Sequence, residues 1–374
     1  MQMAGLTPSP YTPWRTRGKI RRGGQIGLTL LLAAIGLVLA RHLRLPGGMI
    51  IGAMALTAAA SLLNAPLAPP PGWLRQAARI VLGLAIGATV TLDTLRTVAG
   101  ALLPVVFIVL AMALAGLVVA RVIHRVTGLP LPTALCGSAP GVLAAMVTLA
   151  EDLGGDAPVV ASLHLVRLIS VVLFVPALAR ALFPAPAATP LAATAAEATG
   201  ATWPQLALFL AIGLVVGFVA ARLRVPSGDL LATMAVAAAL NAAWLHMAEA
   251  PESWRIFAQW IVGAGLGAAV TQQTVRTFRP FALAGALMTA FFLITGLVLG
   301  WALWRMTSLD PVTCLVASAA GGADQMILLA GELGGNAQLV AAVHVARQII
   351  LLVAVPFLVR GAMGRRAPAP QCDA

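Results

Sequence analysis

Long apolar stretches, separated by short polar segments, run along almost the whole chain. They form two sets of six in the same order: 26–40, 46–63, 77–90, 100–120, 131–150 and 157–179, then 205–221, 226–245, 256–270, 280–303, 311–330 and 337–359. Most of them approach the roughly 20 residues that a helix needs to cross the hydrocarbon layer. This pattern predicts an all-α polytopic membrane protein built from two repeats.

A shift of 180 residues places the second set of stretches on the first without a gap. We call this alignment the repeat register. It also superposes polar and glycine positions: Ser138, Gly141, Gly154, Gly155, His164 and Arg167 fall on Ser318, Gly321, Gly334, Gly335, His344 and Arg347. The chain is therefore an internal duplication. We expect a basic N-terminal tail over 1–25, a membrane repeat over 26–181, a linker over 182–203, a second membrane repeat over 204–361 and a C-terminal tail over 362–374.

The fifth stretch of each repeat decides how the two repeats are oriented. If this stretch crosses the membrane, each repeat has six crossings and the repeats are parallel. If it turns back as a re-entrant segment, each repeat has five crossings and the repeats are inverted, as is common in secondary transporters. The distribution of basic residues suits both models, and both place the C-terminus in the cytoplasm.

Composition excludes a soluble domain. Hydrophobic residues make up 60% of the chain, charged residues only 10%, and the mean hydropathy is +0.95. Much of the net charge of +12 lies before the first apolar stretch and after the last, which is typical of the cytoplasmic flanks of an inner-membrane protein. Membrane lipids, rather than nucleic acid, are the expected partner of this charge. The three cysteines suggest neither a disulfide framework nor a metal site.

Glycine and proline interrupt the fifth stretch in both copies. The first sequence is Gly137-Ser-Ala-Pro-Gly-Val142, and the second is Ala317-Ser-Ala-Ala-Gly-Gly322. Such breaks leave backbone groups that lipid cannot satisfy, so they are stable only beside protein, water or a ligand. A broken helix can bind anions through its N–H groups and cations through its carbonyls, which predicts a solute or ion site that includes Ser138, Pro140, Gly141, Ser318, Gly321 and Gly322. A simple packing kink is the alternative.

A histidine and an arginine three residues apart lie inside the last apolar stretch of each repeat. His164 and Arg167 share one helical face near the predicted membrane midplane, and His344 and Arg347 repeat the arrangement. A charged side chain is costly there, so each arginine should face the interior and meet a carboxylate, a carbonyl or an anionic substrate. Two alternatives stay open, in which the pair braces neighbouring helices or the arginine extends to the membrane interface.

The two copies differ just after the second break, where Ala144-Ala145 becomes Asp324-Gln325. Substrate recognition in a duplicated scaffold needs polar groups that are not duplicated, so Asp324 and Gln325 are candidates for contact with a substrate or a coupling ion. A carboxylate inside the membrane can take up a proton, which would couple transport to a proton gradient.

Acidic and amide residues flank the Gly-Gly turn that ends the fifth stretch of each repeat. Asp152 and Asp156 in the first copy correspond to Glu332 and Asn336 in the second. They are candidates for ion coupling or for capping the helix that follows, and solvated turn residues without a function are the alternative.

These motifs resemble the membrane AbrB family, whose members contain a duplicated AbrB domain. The likeness covers the chain from about residue 26 to 361 and rests on Gly137-Ser-Ala-Pro-Gly141, Met146, the Gly154-Gly155-Asp156 turn, His164 and Arg167. Members are variously labelled as transporters, as regulators of gene expression or as ammonia monooxygenases, and the family is distantly similar to inverted-repeat transporters with discontinuous helices. The second break of this chain lacks the proline of the family pattern.

Two functions are compatible with these features. The first is a secondary transporter of a small anionic or zwitterionic organic solute, coupled to a gradient of H⁺ or Na⁺. The second is a membrane-embedded regulator of gene expression that acts through a partner without transport. We expect no enzymatic activity and no cofactor, because the five histidines show no cluster that would hold the copper of a monooxygenase. A second copy of the chain is a candidate partner.

Overall fold

The computed structural model describes residues 19–43, 48–90, 96, 100, 102–141, 143–183, 203–223, 227–242 and 250–363. These residues form helices joined by short turns, and they contain no β-strand. The predicted linker at 182–203 and the two predicted tails lie largely outside them. The all-helical architecture confirms the predicted fold class.

The two repeats form helices in the same order. The first repeat contains α1 (Lys19–His42), α2 (Gly48–Leu62), α3 (Gly72–Gly87), α4 (Leu102–Thr127), α5 (Leu131–Ser138), α6 (Leu143–Asp152) and α7 (Ala157–Leu182). The second contains α8 (Trp203–Arg222), α9 (Gly228–Leu240), α10 (Glu252–Ala268), α11 (Gln272–Phe278), α12 (Ala282–Met306), α13 (Pro311–Ser318), α14 (Ala323–Glu332) and α15 (Ala337–Met363). Among the described residues, five helical segments are long and apolar enough to cross a membrane, so the chain is a multi-pass membrane protein.

The helices pack into two bundles, and each bundle takes helices from both repeats. The scaffold bundle contains α1 to α3 and α8 to α10, and the core bundle contains α4 to α7 and α12 to α15. In the scaffold bundle the repeats are interleaved: α3 packs against α8 and α9, while α10 packs against α1 and α2. The third helix of each repeat therefore packs against the first two helices of the other repeat.

Glycines allow the interleaved helices to approach backbone to backbone. Gly83 and Gly87 on α3 face the backbone of α9, and the equivalent Gly263 and Gly267 on α10 face the backbone of α2. A Cβ atom at any of the four positions would overlap a backbone oxygen of the facing helix. Small residues four apart are typical of closely packed membrane helices.

Replacing Gly267 with alanine is expected to destabilise the scaffold bundle. The new methyl group would overlap the backbone oxygen of Met54, which cannot rotate away as a side chain can, so α10 and α2 must separate. Overpacking of this kind costs about 1–3 kcal/mol. The unfolding temperature in detergent should fall for Gly267→Ala and should not fall for Gly265→Ala, because the nearest atom to a Cβ there is the Arg75 side-chain Cδ at 3.9 Å. Equal unfolding temperatures for the two variants would contradict this packing.

The fifth stretch of the first repeat is a re-entrant hairpin, formed by α5 and α6 and called hairpin 1. The backbone N–H of Asp156, just before α7, donates a hydrogen bond of 2.9 Å to Oγ1 of Thr133 at the start of α5. The chain therefore returns after α6 to the side from which α5 entered. The 8 residues of α5 and the 10 of α6 each cover about half of the hydrocarbon thickness at roughly 1.5 Å per residue.

Hairpin 2, formed by α13 and α14, has the same construction. The backbone N–H of Asn336 donates a hydrogen bond of 2.6 Å to Oγ1 of Thr313 near the start of α13. Of the two models that the sequence leaves open, this geometry selects the one in which the fifth stretch turns back. If the other five stretches of each repeat cross the membrane as predicted, the repeats are inverted and the two hairpins enter the membrane from opposite sides.

Candidate substrate site at the helix breaks

Both hairpins break at the middle of the membrane. At the first break, Ser138 ends α5, and its hydroxyl is shared between the carbonyl of Ala134 in the same helix, at 2.6 Å, and that of Gly116, near the centre of α4, at 3.1 Å. At the second break, Ser318 ends α13 and donates a bond of 2.7 Å to the carbonyl of Gly296, near the centre of α12. The two serines thus fix the depth of the breaks by binding to membrane-spanning helices of the core bundle.

The second break keeps the geometry of the first without its proline. The residue after each serine is extended, with φ −61° and ψ 126° at Ala139 and φ −66° and ψ 144° at Ala319. Pro140 follows in the first copy, whereas Ala320 takes its place in the second. At the second break, Arg347 of α15 donates hydrogen bonds to the carbonyls of Ala319 and Gly321, as described below. The second break therefore has a support that does not depend on a proline.

In the first repeat, the histidine and arginine of α7 bind the carbonyl end of α5. Arg167 donates from Nη1 to the carbonyls of Ser138 and Ala139, at 3.3 and 3.1 Å. Nε2 of His164 lies 2.8 Å from the carbonyl of Cys136, and its Nδ1 lies 3.1 Å from Nη2 of Arg167. Because a guanidinium can only donate, Nδ1 must accept, so the neutral imidazole carries its proton on Nε2 and donates to the carbonyl.

The second repeat reproduces this arrangement with shorter bonds. Arg347 donates from Nη1 to the carbonyl of Ala319 and from Nη2 to that of Gly321, both at 2.7 Å. His344 lies between Nη2 of Arg347, at 2.8 Å, and the carbonyl of Val316, at 3.0 Å. In both repeats the positive charge therefore lies at the C-terminal end of a half-helix, where the helix dipole favours it.

The two arginines carry more positive charge than these contacts neutralise. Arg167 and Arg347 are 1% and 2% exposed, and they lie within electrostatic range of each other. Among the described residues neither forms a salt bridge, and Nε of each is buried without a hydrogen-bond partner. The guanidinium of Arg167 lies over the ring of Phe292, 5.6 Å from its centre. Two buried cations close to two helix breaks favour binding of an anion.

The polar residues specific to the second copy lie in the first turn of α14. This helix begins at Ala323 after Gly322, with no side-chain hydrogen bond to cap its N-terminal N–H groups. The side chain of Gln325 folds back over Gly322. Asp324 is partly buried and faces the scaffold bundle, within electrostatic range of Arg79 and Asp229.

An ion pair inside the scaffold bundle was not predicted from the sequence. Arg79 of α3 donates from Nη2 and Nε to Oδ2 of Asp229 on α9, at 2.6 and 2.9 Å. The repeat register takes Arg79 to Gln259 and takes Met49 to Asp229, so the duplication does not mark either partner. A charged residue inside an apolar helix was the only available signal for this pair.

The residues at the Gly-Gly turns lie at the bases of the hairpins, far from the breaks. Asp156 and Asn336 cap α7 and α15 by accepting hydrogen bonds from the backbone N–H groups of Val159 and Leu339, at 3.1 and 2.9 Å. Asp152 is exposed, whereas Glu332 is partly buried. The structure thus separates these four residues from the breaks by the length of α6 or α14, about 15 Å.

Metal ligands do not gather in the described part of the chain, where no three side chains of His, Cys, Asp or Glu come together. Cys136 and Cys314 are buried, unpaired thiols next to the two breaks. The polar groups at the two breaks are those of arginine, histidine, serine, aspartate and glutamine side chains and of the backbone.

Comparison with known proteins assigns the family. The family model described as "Transition state regulatory protein AbrB" matches residues 2–84 and 67–363. The chain is 30% identical over 346 residues to "Putative regulator AbrB" of Escherichia coli (strain K12), a match that covers 90% of this chain and 95% of that protein. It is 28% identical over 158 residues to "Uncharacterized protein YhjN" of Bacillus subtilis (strain 168), covering 40% and 41% of the two chains. The protein is a multi-pass member of the AbrB family.

Proposed function

We propose that this protein is a secondary transporter of a small organic anion in the inner membrane. The observation that carries the proposal is the pair of re-entrant hairpins, whose breaks lie beside two buried arginines without carboxylate partners among the described residues. Broken helices at the midplane of an inverted repeat are the usual place for the substrate site of a secondary transporter.

The charge of the site favours an anion, or a zwitterion bound through its carboxylate. The guanidinium groups of Arg167 and Arg347 already cap the half-helices, but each keeps a buried Nε–H without an acceptor. The uncapped N-terminus of α14 adds N–H groups that also attract negative charge. A carboxylate that entered between the breaks would satisfy groups that the protein itself leaves unpaired.

Coupling to an ion gradient is assigned to Asp324. This carboxylate stands in the first turn of α14, directly after the second break, where a proton or Na⁺ would change the charge next to the substrate. His164 and His344 are less suited to this task, because protonation of Nδ1 would break the bond to the neighbouring arginine.

Replacing Asp324 with asparagine is expected to lower gradient-driven uptake into proteoliposomes at least about tenfold, because the side chain loses its exchangeable charge. The solute is found first by thermal shift with a panel of mono-, di- and tricarboxylates, in which a true ligand at a hundredfold excess over its Kd should raise the unfolding temperature by roughly 3 °C. Uptake is then measured under an imposed H⁺ or Na⁺ gradient.

The matched control is Glu151→Gln, which neutralises an exposed carboxylate at the base of hairpin 1. This variant should transport like the unmodified protein. Stabilisation by neutral or cationic solutes alone, or uptake by Asp324→Asn at the rate of the control, would contradict the assignment.

A regulatory function without transport is the alternative, and it is favoured by the name of the E. coli relative. In that case the buried arginines would serve only as braces for the hairpins. Transcript levels would then change when the gene is deleted and would be restored equally by the unmodified protein and by Asp324→Asn. If the protein is instead a transporter that affects expression through its solute, transcript levels would be restored only by the transport-active form.

A further inference from the structure

The two hairpins are equivalent in the repeat register but differ in how they meet the scaffold bundle. On α14, Ile327, Leu328 and Leu329 are 1%, 3% and 1% exposed. Their counterparts on α6 are Val147 and Leu149, which are half-buried, and Thr148, which is exposed. Hairpin 2 is therefore docked on the scaffold bundle in this structure, and hairpin 1 is not.

Contacts from hairpin 2 account for this difference. Helix α14 packs against α10, and α15 packs against α3, whereas among the described residues α6 makes no comparable contact with α3. At the base of hairpin 2, Glu332 interacts with Gln259 of α10 and lies within electrostatic range of Arg255. At its tip, Asp324 lies within range of Arg79 on α3.

Two further hydrogen bonds hold the core bundle to the scaffold bundle through α15 in this arrangement. Gln338 bonds to the hydroxyl of Thr89, and the hydroxyl of Ser227 bonds to Oε1 of Gln348 at 2.9 Å. The repeat register replaces Gln338 by Pro158 and Gln348 by Leu168 in α7. These bonds are therefore specific to the docking of hairpin 2, and hairpin 1 cannot reproduce them.

The internal symmetry predicts the partners of hairpin 1 if it docks in turn. The repeat register maps Glu332 to Asp152, Arg255 to Arg75 and Gln259 to Arg79. The contact of Glu332 with α10 would thus become a contact of Asp152 with two arginines of α3. Asp152 is exposed in this structure and ready for such a contact.

We infer that the core bundle has a second docked position, in which Asp152 of hairpin 1 binds Arg75 and Arg79 of the scaffold bundle. Arg79 would then face a carboxylate of the core bundle in both positions: Asp324 when hairpin 2 is docked and Asp152 when hairpin 1 is docked. This exchange goes beyond the transport function proposed above, because it can be measured without a solute.

Cysteine crosslinking in native membranes tests the exchange. In full-length protein with Cys136, Cys314 and Cys372 replaced by alanine, the pair Glu332→Cys and Arg255→Cys reports docking of hairpin 2. The pair Asp152→Cys and Arg75→Cys reports docking of hairpin 1, and both pairs are treated with the same short-spacer bismaleimide. The single-cysteine variants control for crosslinks between two copies of the chain.

Removing the two bonds of α15 should shift the population toward the second position. The variant Gln338→Ala with Gln348→Leu loses both hydrogen bonds, and the second change installs the residue found in the other repeat. The 75–152 crosslink should increase roughly fivefold or more, and the 255–332 crosslink should decrease. Because each pair removes one carboxylate–arginine contact, the shift is also followed by maleimide labelling of a single Thr148→Cys, which should become protected in the same variant.

Three outcomes are distinguishable. Growth of the 75–152 crosslink together with protection of position 148 supports the exchange. Absence of both, while the 255–332 crosslink forms, overturns it. Failure of the 255–332 crosslink overturns the docked position from which it is derived. If the exchange occurs but no carboxylate raises the unfolding temperature of the protein or is taken up into proteoliposomes, the proposed function fails and the exchange stands.

Discussion

Leucine in place of Arg347 should prevent the protein from folding stably. The substitution removes the donors to the carbonyls of Ala319 and Gly321 and to Nδ1 of His344, all at the midplane, where water cannot replace them. Each buried polar group without a partner costs about 1–3 kcal/mol, so the loss of three is comparable with the whole stability of a typical domain. The measurement is the fraction of monodisperse protein after extraction in mild detergent, together with its unfolding temperature.

Comparison variants separate bracing from charge. Arg347→Lys keeps the charge, but one ammonium cannot reach all three acceptors in the geometry of a guanidinium, so its stability should be intermediate. Arg167→Leu should be less harmful than Arg347→Leu, because the bonds of Arg167 to its carbonyls are longer, at 3.3 and 3.1 Å. A monodisperse Arg347→Leu protein with an unchanged unfolding temperature would refute the bracing role.

Substitution of Asp229 by methionine is the second change with a large expected effect. It removes the carboxylate that is hydrogen-bonded to Arg79 and leaves only the more distant Asp324 near this cation; loss of one partner of a buried pair costs about 3–5 kcal/mol. Arg79 is partly exposed, with 31% of its side chain accessible, so the lower end of that range is expected. The unfolding temperature of the purified protein measures the loss.

The duplication supplies the matched control for this experiment. The equivalent positions in the other repeat interface hold Gln259 and Met49, so Arg79→Gln combined with Asp229→Met installs a combination that the protein already uses. The double variant should recover most of the stability lost in Asp229→Met. It should not recover uptake, because Asp324 and Asp152 lose Arg79. A double variant less stable than the single one would show that Arg79 and Asp229 do not act as a pair.

Sequence reasoning reached the fold class, the duplication and the helix breaks because each leaves a local signal. Apolar length marks the membrane helices, and the constant repeat register marks the two copies. The number of crossings could not be predicted, because it depends on the contact of Thr133 with Asp156, a meeting of residues 23 positions apart. Basic residues at the loops are too evenly distributed to replace that contact.

Some of the candidate site residues could be predicted from the sequence, but their contacts could not. His164 and Arg167 were identifiable because both copies keep them, but their attachment to the carbonyls of the break was one of several open alternatives. The pairing of Arg79 with Asp229 could not be foreseen, since it depends on α3 of one repeat packing beside α9 of the other. Packing between helices of different repeats leaves no periodic pattern in the sequence of either helix.

The packing of α3 and α10 against helices of the other repeat restricts how such a protein can arise from a single copy of the repeat. A half-length ancestor with one copy of this unit would have exposed the glycine face of its third helix to lipid unless a second copy, inserted upside down, covered it. Its gene product would have needed both orientations in the same membrane. A single fused chain does not have that requirement, and its halves can differ, as Asp324 and Asp229 differ from their counterparts Ala144 and Met49.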